Sequence, residues 1–203
     1  NIMESASQAV RTLGPDARLG VAPHSLRAVG VDDLAALIEQ YGDGPIHIHA
    51  AEQRAEVEEI QSELGASPIA WLLANAAVDE RWCVIHATHM RPKETAGLAD
   101  TGAVAGLCPI TEANLGDGIF DGVRYLAAGG LIGIGSDSNV RISLSEELRS
   151  LEYSQRLRDR ARAVLTTPGG QTGRDLYMHS LQGGARALDR RSGEIESGAW
   201  ADL

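Results

Sequence analysis

The sequence predicts an α/β fold built on a parallel sheet, and three observations carry that reading. Short apolar runs recur at 18–22, 45–49, 82–86, 103–107 and 131–135, each followed by a stretch with helical spacing or helix-start signals. Strict alternation of this kind marks βα units whose strands run parallel. The run at 131–135, Leu-Ile-Gly-Ile-Gly, is apolar throughout with small residues, as strands covered on both faces are. Three of the runs also end on a chemically active side chain: 45–49 delivers His49, 82–86 delivers His86, and Gly133-Ile134-Gly135-Ser136-Asp137 delivers Asp137. Five units cannot close an eight-stranded barrel, which takes about 250 residues. The sheet is therefore either an open doubly wound one or the later part of a barrel.

In chain order, residues 1–13 read as the end of a helix closed by Gly14-Pro15. Arg18 to Ala22 reads as a short strand, with Pro23-His24-Ser25-Leu26-Arg27 as the loop leaving it. Asp32 to Tyr41 carries an apolar stripe at Leu34, Leu37 and Ile38, and Gly42 to Pro45 is a turn. Gln53 to Leu64 is a strongly acidic helix stopped by Gly65, its charge run read as a solvated face. Pro68 opens the next helix at its first position, and Arg91-Pro92 opens another that runs to Asp100. Cys108 to Asn114, with Gly116-Asp117-Gly118, reads as a long loop of the kind that carries function. A helix at 123–128, a long one at 143–164 and a final one at 174–188 complete the series.

Composition excludes several classes of function. The 203 residues have a formal net charge of −10, which argues against nucleic acid or an anionic membrane surface as partner. No apolar run approaches membrane-spanning length. The two cysteines, Cys83 and Cys108, sit in or beside expected strands and read as buried reduced thiols, in keeping with a cytoplasmic setting. The chain starts at Asn1 in helix-like sequence and stops at Leu203 where a strand is about to begin, so it is read as a fragment.

Imidazole and carboxylate at the C-terminal ends of parallel strands are the donors that a water-activating metal needs, with one coordination position left open. His49 and Asp137 are the candidate metal ligands. Glu52, three residues past His49, overhangs the same place and is the candidate proton carrier. His86 is either a further ligand or the group that orients the attacking water and polarises its target. Arg27 offers a planar fork for a substrate carboxylate, and His24 stands three residues before it. Other residues get plainer readings: His47 packs below His49, His89 is a loop residue, and His179 is structural. Gly133-x-Gly135 lacks a third glycine and is no nucleotide fingerprint. A non-catalytic binding domain, with the histidines and Asp137 around a structural metal or only hydrogen-bonded, is the alternative of a different class.

These residues resemble the deaminase branch of the amidohydrolase superfamily, on His49-Ala50-Ala51-Glu52, on His86 in Ile85-His86-Ala87-Thr88-His89, and on Ser136-Asp137. Three segments are similar to those of formimidoylglutamate deiminases: Gly20 to Arg27, Cys108 to Gly118, and Ser136 to Arg141. The resemblance implies a partial TIM (β/α)8 barrel of the metal-dependent hydrolase type, comprising about the last five βα units and lacking the first strands. Residues 1–192 would be that barrel part, and 193–203 the start of a segment returning to a small β-sandwich. The resemblance also implies one Zn2+ held by His49 and Asp137, with Glu52, His86 and Asp137 catalytic, and with Arg27, His24 and His86 facing a small carboxylate-bearing substrate. The implied reaction is hydrolysis of N-formimino-L-glutamate to N-formyl-L-glutamate and ammonia, by a homodimer in the full-length enzyme. A purine, an adenosine derivative or a triazine is the alternative substrate. The His-x-His of the superfamily's first strand is absent from this sequence, so the chain alone is expected to be inactive.

Overall fold

The computed structural model describes residues 2–41 and 43–201. Its centre is a four-stranded, all-parallel sheet in the order β1-β2-β3-β4. The strands are β1 (Ile46–Ala50), β2 (Trp82–His86), β3 (Val104–Leu107) and β4 (Leu131–Ile134). The register sets His47 beside Cys83, Cys83 beside Val104, and Val104 beside Leu131. Neighbouring strands in the sheet are also neighbours in sequence, as in the wall of a (β/α)8 barrel, of which this sheet is a part.

Alternation along the strands divides the side chains between two layers. Ile46, Ile48, Trp82, Val84, Ala105, Leu107 and Ile132 join the main core. Helices α2 (Val31–Tyr41), α3 (Arg54–Leu64), α4 (Pro68–Asn75), α5 (Pro92–Asp100) and α7 (Gly122–Ala127) supply Leu34, Ile60, Ile69, Leu72, Leu98 and Tyr125 to it. On the other face Cys83 and Val104 pack with Ala187 of α9 (Thr172–Ala187). Helix α9 can lie this close because Gly183 has no side chain: a Cβ there would fall 1.9 Å from the Ile132 carbonyl oxygen.

Three elements differ from the sequence reading. The run at 18–22 is not a strand: it touches β1 through isolated parallel bridges, Val21 to Ile46 and Ser25 to His49. Gly20 lies so near the Pro45 backbone that a Cβ would meet its carbonyl oxygen at 2.3 Å, and the segment runs alongside the sheet without laddering into it. The stretch read as a loop at 108–114 contains a helix, α6 (Pro109–Leu115), with Pro109 at its first position, where its missing N–H costs nothing. Helix α8 (Leu144–Asp159) stops short of residue 164, because Arg160 adopts the left-handed conformation and caps it. The first helix, α1 (Ile2–Val10), buries none of its residues. Residues 193–201 form neither helix nor strand, and the Trp200 N–H bonds to the Arg191 carbonyl; the expected end of that segment at 202–203, Asn1 of the first helix and Gly42 of the turn lie outside the described residues. Among the described residues, no helix is long and apolar enough to cross a membrane.

Candidate active site

The active side chains project from the C-terminal ends of the strands because the backbone turns sharply there. Ala51, His86, Ala87 and Asp137 all take positive φ, at 56°, 68°, 49° and 42°. Non-glycine residues in this region are strained, by about 1–3 kcal/mol each, and such residues cluster at functional sites. The bends are stitched down by hydrogen bonds: the Ala87 N–H reaches the Ala50 carbonyl at 3.1 Å, and the His89 N–H the Ala51 carbonyl at 2.9 Å.

The structure brings four of the candidate residues into one cluster. The His24 and His49 rings stack with centroids 4.9 Å apart, and His49 and His86 stand 5.6 Å apart. Glu52 Oε1 lies 3.7 Å from His86 Nε2. His49 donates from Nδ1 to the His24 carbonyl oxygen at 2.9 Å, which leaves its Nε2 for other work. Asp137 is exposed at the end of β4, and its charge acts on both Glu52 and His86. Arg27 is placed apart from the ring cluster: its guanidinium pairs with Glu59 of α3 at 2.8 Å, with both side chains about half exposed.

The electrostatics suit proton transfer. Burial pushes the Glu52 carboxyl above the ordinary range; the nearby His86 opposes this, while Asp117, Glu56 and Asp137 reinforce it. Burial alone would lower His86, but its hydrogen bond to Glu112 and the charges of Glu52, Glu112 and Asp137 outweigh burial and raise it. The Glu52 carboxyl and the His86 ring thus both hold a proton more firmly than in water, a perturbation of the kind that marks functional clusters.

Sequence reasoning missed the supports of this cluster. Glu56, read as part of a solvated acidic face, is buried and accepts the Ala51 and Glu52 N–H groups at 2.9 and 2.8 Å. It fixes the backbone that carries Glu52. Glu112 of α6 is buried against His86. Asp117 accepts from Gln53 Nε2 at 3.0 Å, and its main-chain oxygen accepts from His89 Nε2 at 2.8 Å. Glu147 of α8 accepts the Ile110 N–H at 2.8 Å, tying α8 to α6. The one sequence signal for such roles was the density of polar residues between Cys108 and Gly118. His47 packs as expected and also bonds through Nε2 to the Ala187 carbonyl at 2.7 Å.

For a divalent metal the donors are right in kind and few in number. His49 Nε2 and the Asp137 carboxylate are the nitrogen and oxygen ligands that zinc accepts. Among the described residues no three His, Cys, Asp or Glu side chains converge closely enough to hold an ion.

A model of the amidohydrolase family matches residues 6–203. The chain belongs to the amidohydrolase family. It is 52% identical to the formimidoylglutamate deiminase of Pseudomonas aeruginosa over 91% of this chain and 41% of that protein. Among solved structures, an amidohydrolase from Brucella melitensis superposes with a TM-score of 0.93 at 49% identity, over 98% of this chain and 44% of the other. An adenosine deaminase from Xanthomonas campestris with bound zinc gives 0.86 at 25% identity, over 99% of this chain and 46% of that one. The amidohydrolase chain thus spans less than half the length of these relatives.

Proposed function

We propose that this amidohydrolase chain is the proton-handling and substrate-facing part of a deiminase that hydrolyses N-formimino-L-glutamate to N-formyl-L-glutamate and ammonia. The observation that carries the substrate choice is the 52% identity to formimidoylglutamate deiminase, against 30–35% to several 5-methylthioadenosine/S-adenosylhomocysteine deaminases. The Arg27 guanidinium, on the same loop as His24, supports it against a bare purine or a triazine, because a glutamate-derived substrate presents carboxylates and those rings present none.

His49 and Asp137 would hold a zinc ion, which when bound supplies a Lewis acid that lets water attack at neutral pH. Glu52 takes a proton from the attacking water and delivers it to the departing nitrogen, and its raised pKa matches both halves of that task. His86 orients the water and polarises the group under attack. Arg27 and His24 hold the glutamate end, with Arg27 exchanging Glu59 for a substrate carboxylate. His49 and Asp137 are only two donors, so the 203-residue chain alone should bind zinc weakly and release no ammonia.

The test is a chimera in which this chain replaces the matching 41% of the Pseudomonas aeruginosa enzyme. A folded, zinc-loaded chimera should release ammonia from N-formimino-L-glutamate and not from adenosine. The opposite preference, or no turnover of either, would remove the assignment.

A further inference from the structure

His86 is held from two sides, and the two sides are not equivalent. Its Nδ1 stands 3.2 Å from Glu112 Oε1, a hydrogen bond between two side chains that are 1% and 5% exposed. Its Nε2 stands 3.7 Å from Glu52 Oε1, beyond hydrogen-bond length, with Glu52 partly open to solvent. The same Oε1 of Glu112 also accepts the Cys108 N–H at 2.9 Å. An oxygen that already accepts one N–H is an acceptor toward the ring too, so the proton of this bond sits on Nδ1. Helix α6 holds the carboxylate in place from its first turn, and Glu147 of α8 fixes that turn through the Ile110 N–H.

We propose that Glu112 is a positioning residue: it pins a proton on His86 Nδ1, leaving Nε2 as the one ring nitrogen through which His86 meets Glu52, water or substrate. The imidazole is thereby held in a single tautomer and a single orientation. A ring free to flip, or to carry its neutral-state proton on Nε2, would lose the Nδ1 bond to Glu112 and present a different set of atoms to Glu52 and to water. The buried bond also disposes of the ring nitrogen that cannot reach solvent, which would otherwise be an unsatisfied polar atom. The role is indirect, since Glu112 reaches the reaction only through the ring. It rests on the proposed hydrolytic reading for its purpose, though not for its geometry.

The experiment separates the two. In the chain labelled with 15N-histidine, the ring correlations of His86 are assigned by their loss in His86→Asn and read at a pH where the ring is neutral. The expected result is a proton on Nδ1 and a bare Nε2. A native His86 that carries its neutral proton on Nε2 overturns the proposal directly, with no variant needed. Glu112→Ala should mix the tautomers, and Glu112→Gln, which retains an acceptor oxygen for both N–H groups, should restore the Nδ1-protonated form. A folded Glu112→Ala protein with an unchanged tautomer also overturns it. In the chimera described above, Glu112→Ala should lower kcat roughly 10–100-fold, the usual cost of losing an outer orienting group, with KM within about twofold, and Glu112→Gln should recover most of that loss. An equal fall in stability with kcat unchanged would make Glu112 a helix anchor only. Failure of formiminoglutamate turnover would leave the tautomer result standing, so the two readings fail separately.

Discussion

Two adjacent glycines in α9 give a sharp test of how the sheet is held under the site. A methyl group at Gly183 would lie 1.9 Å from the Ile132 carbonyl oxygen, 2.4 Å from the carbonyl carbon and 3.0 Å from the Gly133 nitrogen. All three are backbone atoms of β4 and cannot rotate away. A normal carbon–oxygen contact is about 3.3 Å, so in Gly183→Ala the helix must retreat by roughly 1.4 Å. Retreat opens the packing of Cys83 and Val104 against Ala187, and overpacking of this kind costs about 3 kcal/mol. At Gly184 an added methyl meets nothing within 4 Å, and alanine there gains about 0.5–1 kcal/mol of helix propensity. Because the propensity gain is common to both variants, their difference is the steric cost alone. For a domain of this size, about 3 kcal/mol corresponds to a separation in Tm of roughly 6–12 °C. Urea and thermal unfolding followed by circular dichroism would measure it. Since β4 runs directly into Ser136-Asp137, activity in the chimera should fall with Gly183→Ala and be retained with Gly184→Ala. Equal stability of the two variants would refute the claim that α9 sits on β4 through a backbone contact.

Other outcomes follow from the site. Arg27→Met should raise KM for N-formimino-L-glutamate by tenfold or more, about 1.4 kcal/mol, while leaving Tm nearly unchanged, because its half-exposed pair with Glu59 contributes at most about 1 kcal/mol; steady-state kinetics and a melt check both. Burial raises the Glu147 carboxyl, partly offset by the Ile110 N–H, and Glu112 and Asp137 raise it further. Its stabilising contribution is therefore present below the unfolded carboxylate pKa and is lost as pH rises through the folded value. Glu147→Gln should accordingly raise Tm at neutral pH, with the gain shrinking on acidification toward about 4.3. Burial also pushes the Cys83 thiol up to about 12 and the Cys108 thiol up as well, so neither should be alkylated by iodoacetamide in the native protein. Both should react in denaturant, as read by mass spectrometry.

The strands were legible because each places fully buried apolar residues in the core: Ile46, Ile48, Trp82, Val84, Ala105 and Ile132 are all within 1% of full burial. The run at 18–22 carried the same apolar signal, yet within it the pairing with β1 is confined to Val21, whose N–H reaches the Pro45 carbonyl and whose carbonyl accepts the His47 N–H. Helix α6 was hidden by Pro109, which looks like a breaker and serves as a starter. The end of α8 was hidden because Arg160 does what glycine usually does. At the site, His49, Glu52 and His86 could be gathered from the ends of β1 and β2, since topology alone brings those ends together. Glu56 and Glu112 could not. Their value lies in accepting particular N–H groups across a fold, and on helices they look like any other acidic residue.

The segment carrying His24 and Arg27 touches the sheet at only two bridges, yet the His24 carbonyl is the atom that holds the His49 ring. On the proposed reading, a single backbone oxygen therefore joins the grip on substrate to the grip on metal. Thermodynamic reciprocity then applies: a ligand that steadies this loop tightens the ion, and the ion tightens the ligand by the same factor. Affinity measured for either one alone will understate what the pair achieves together.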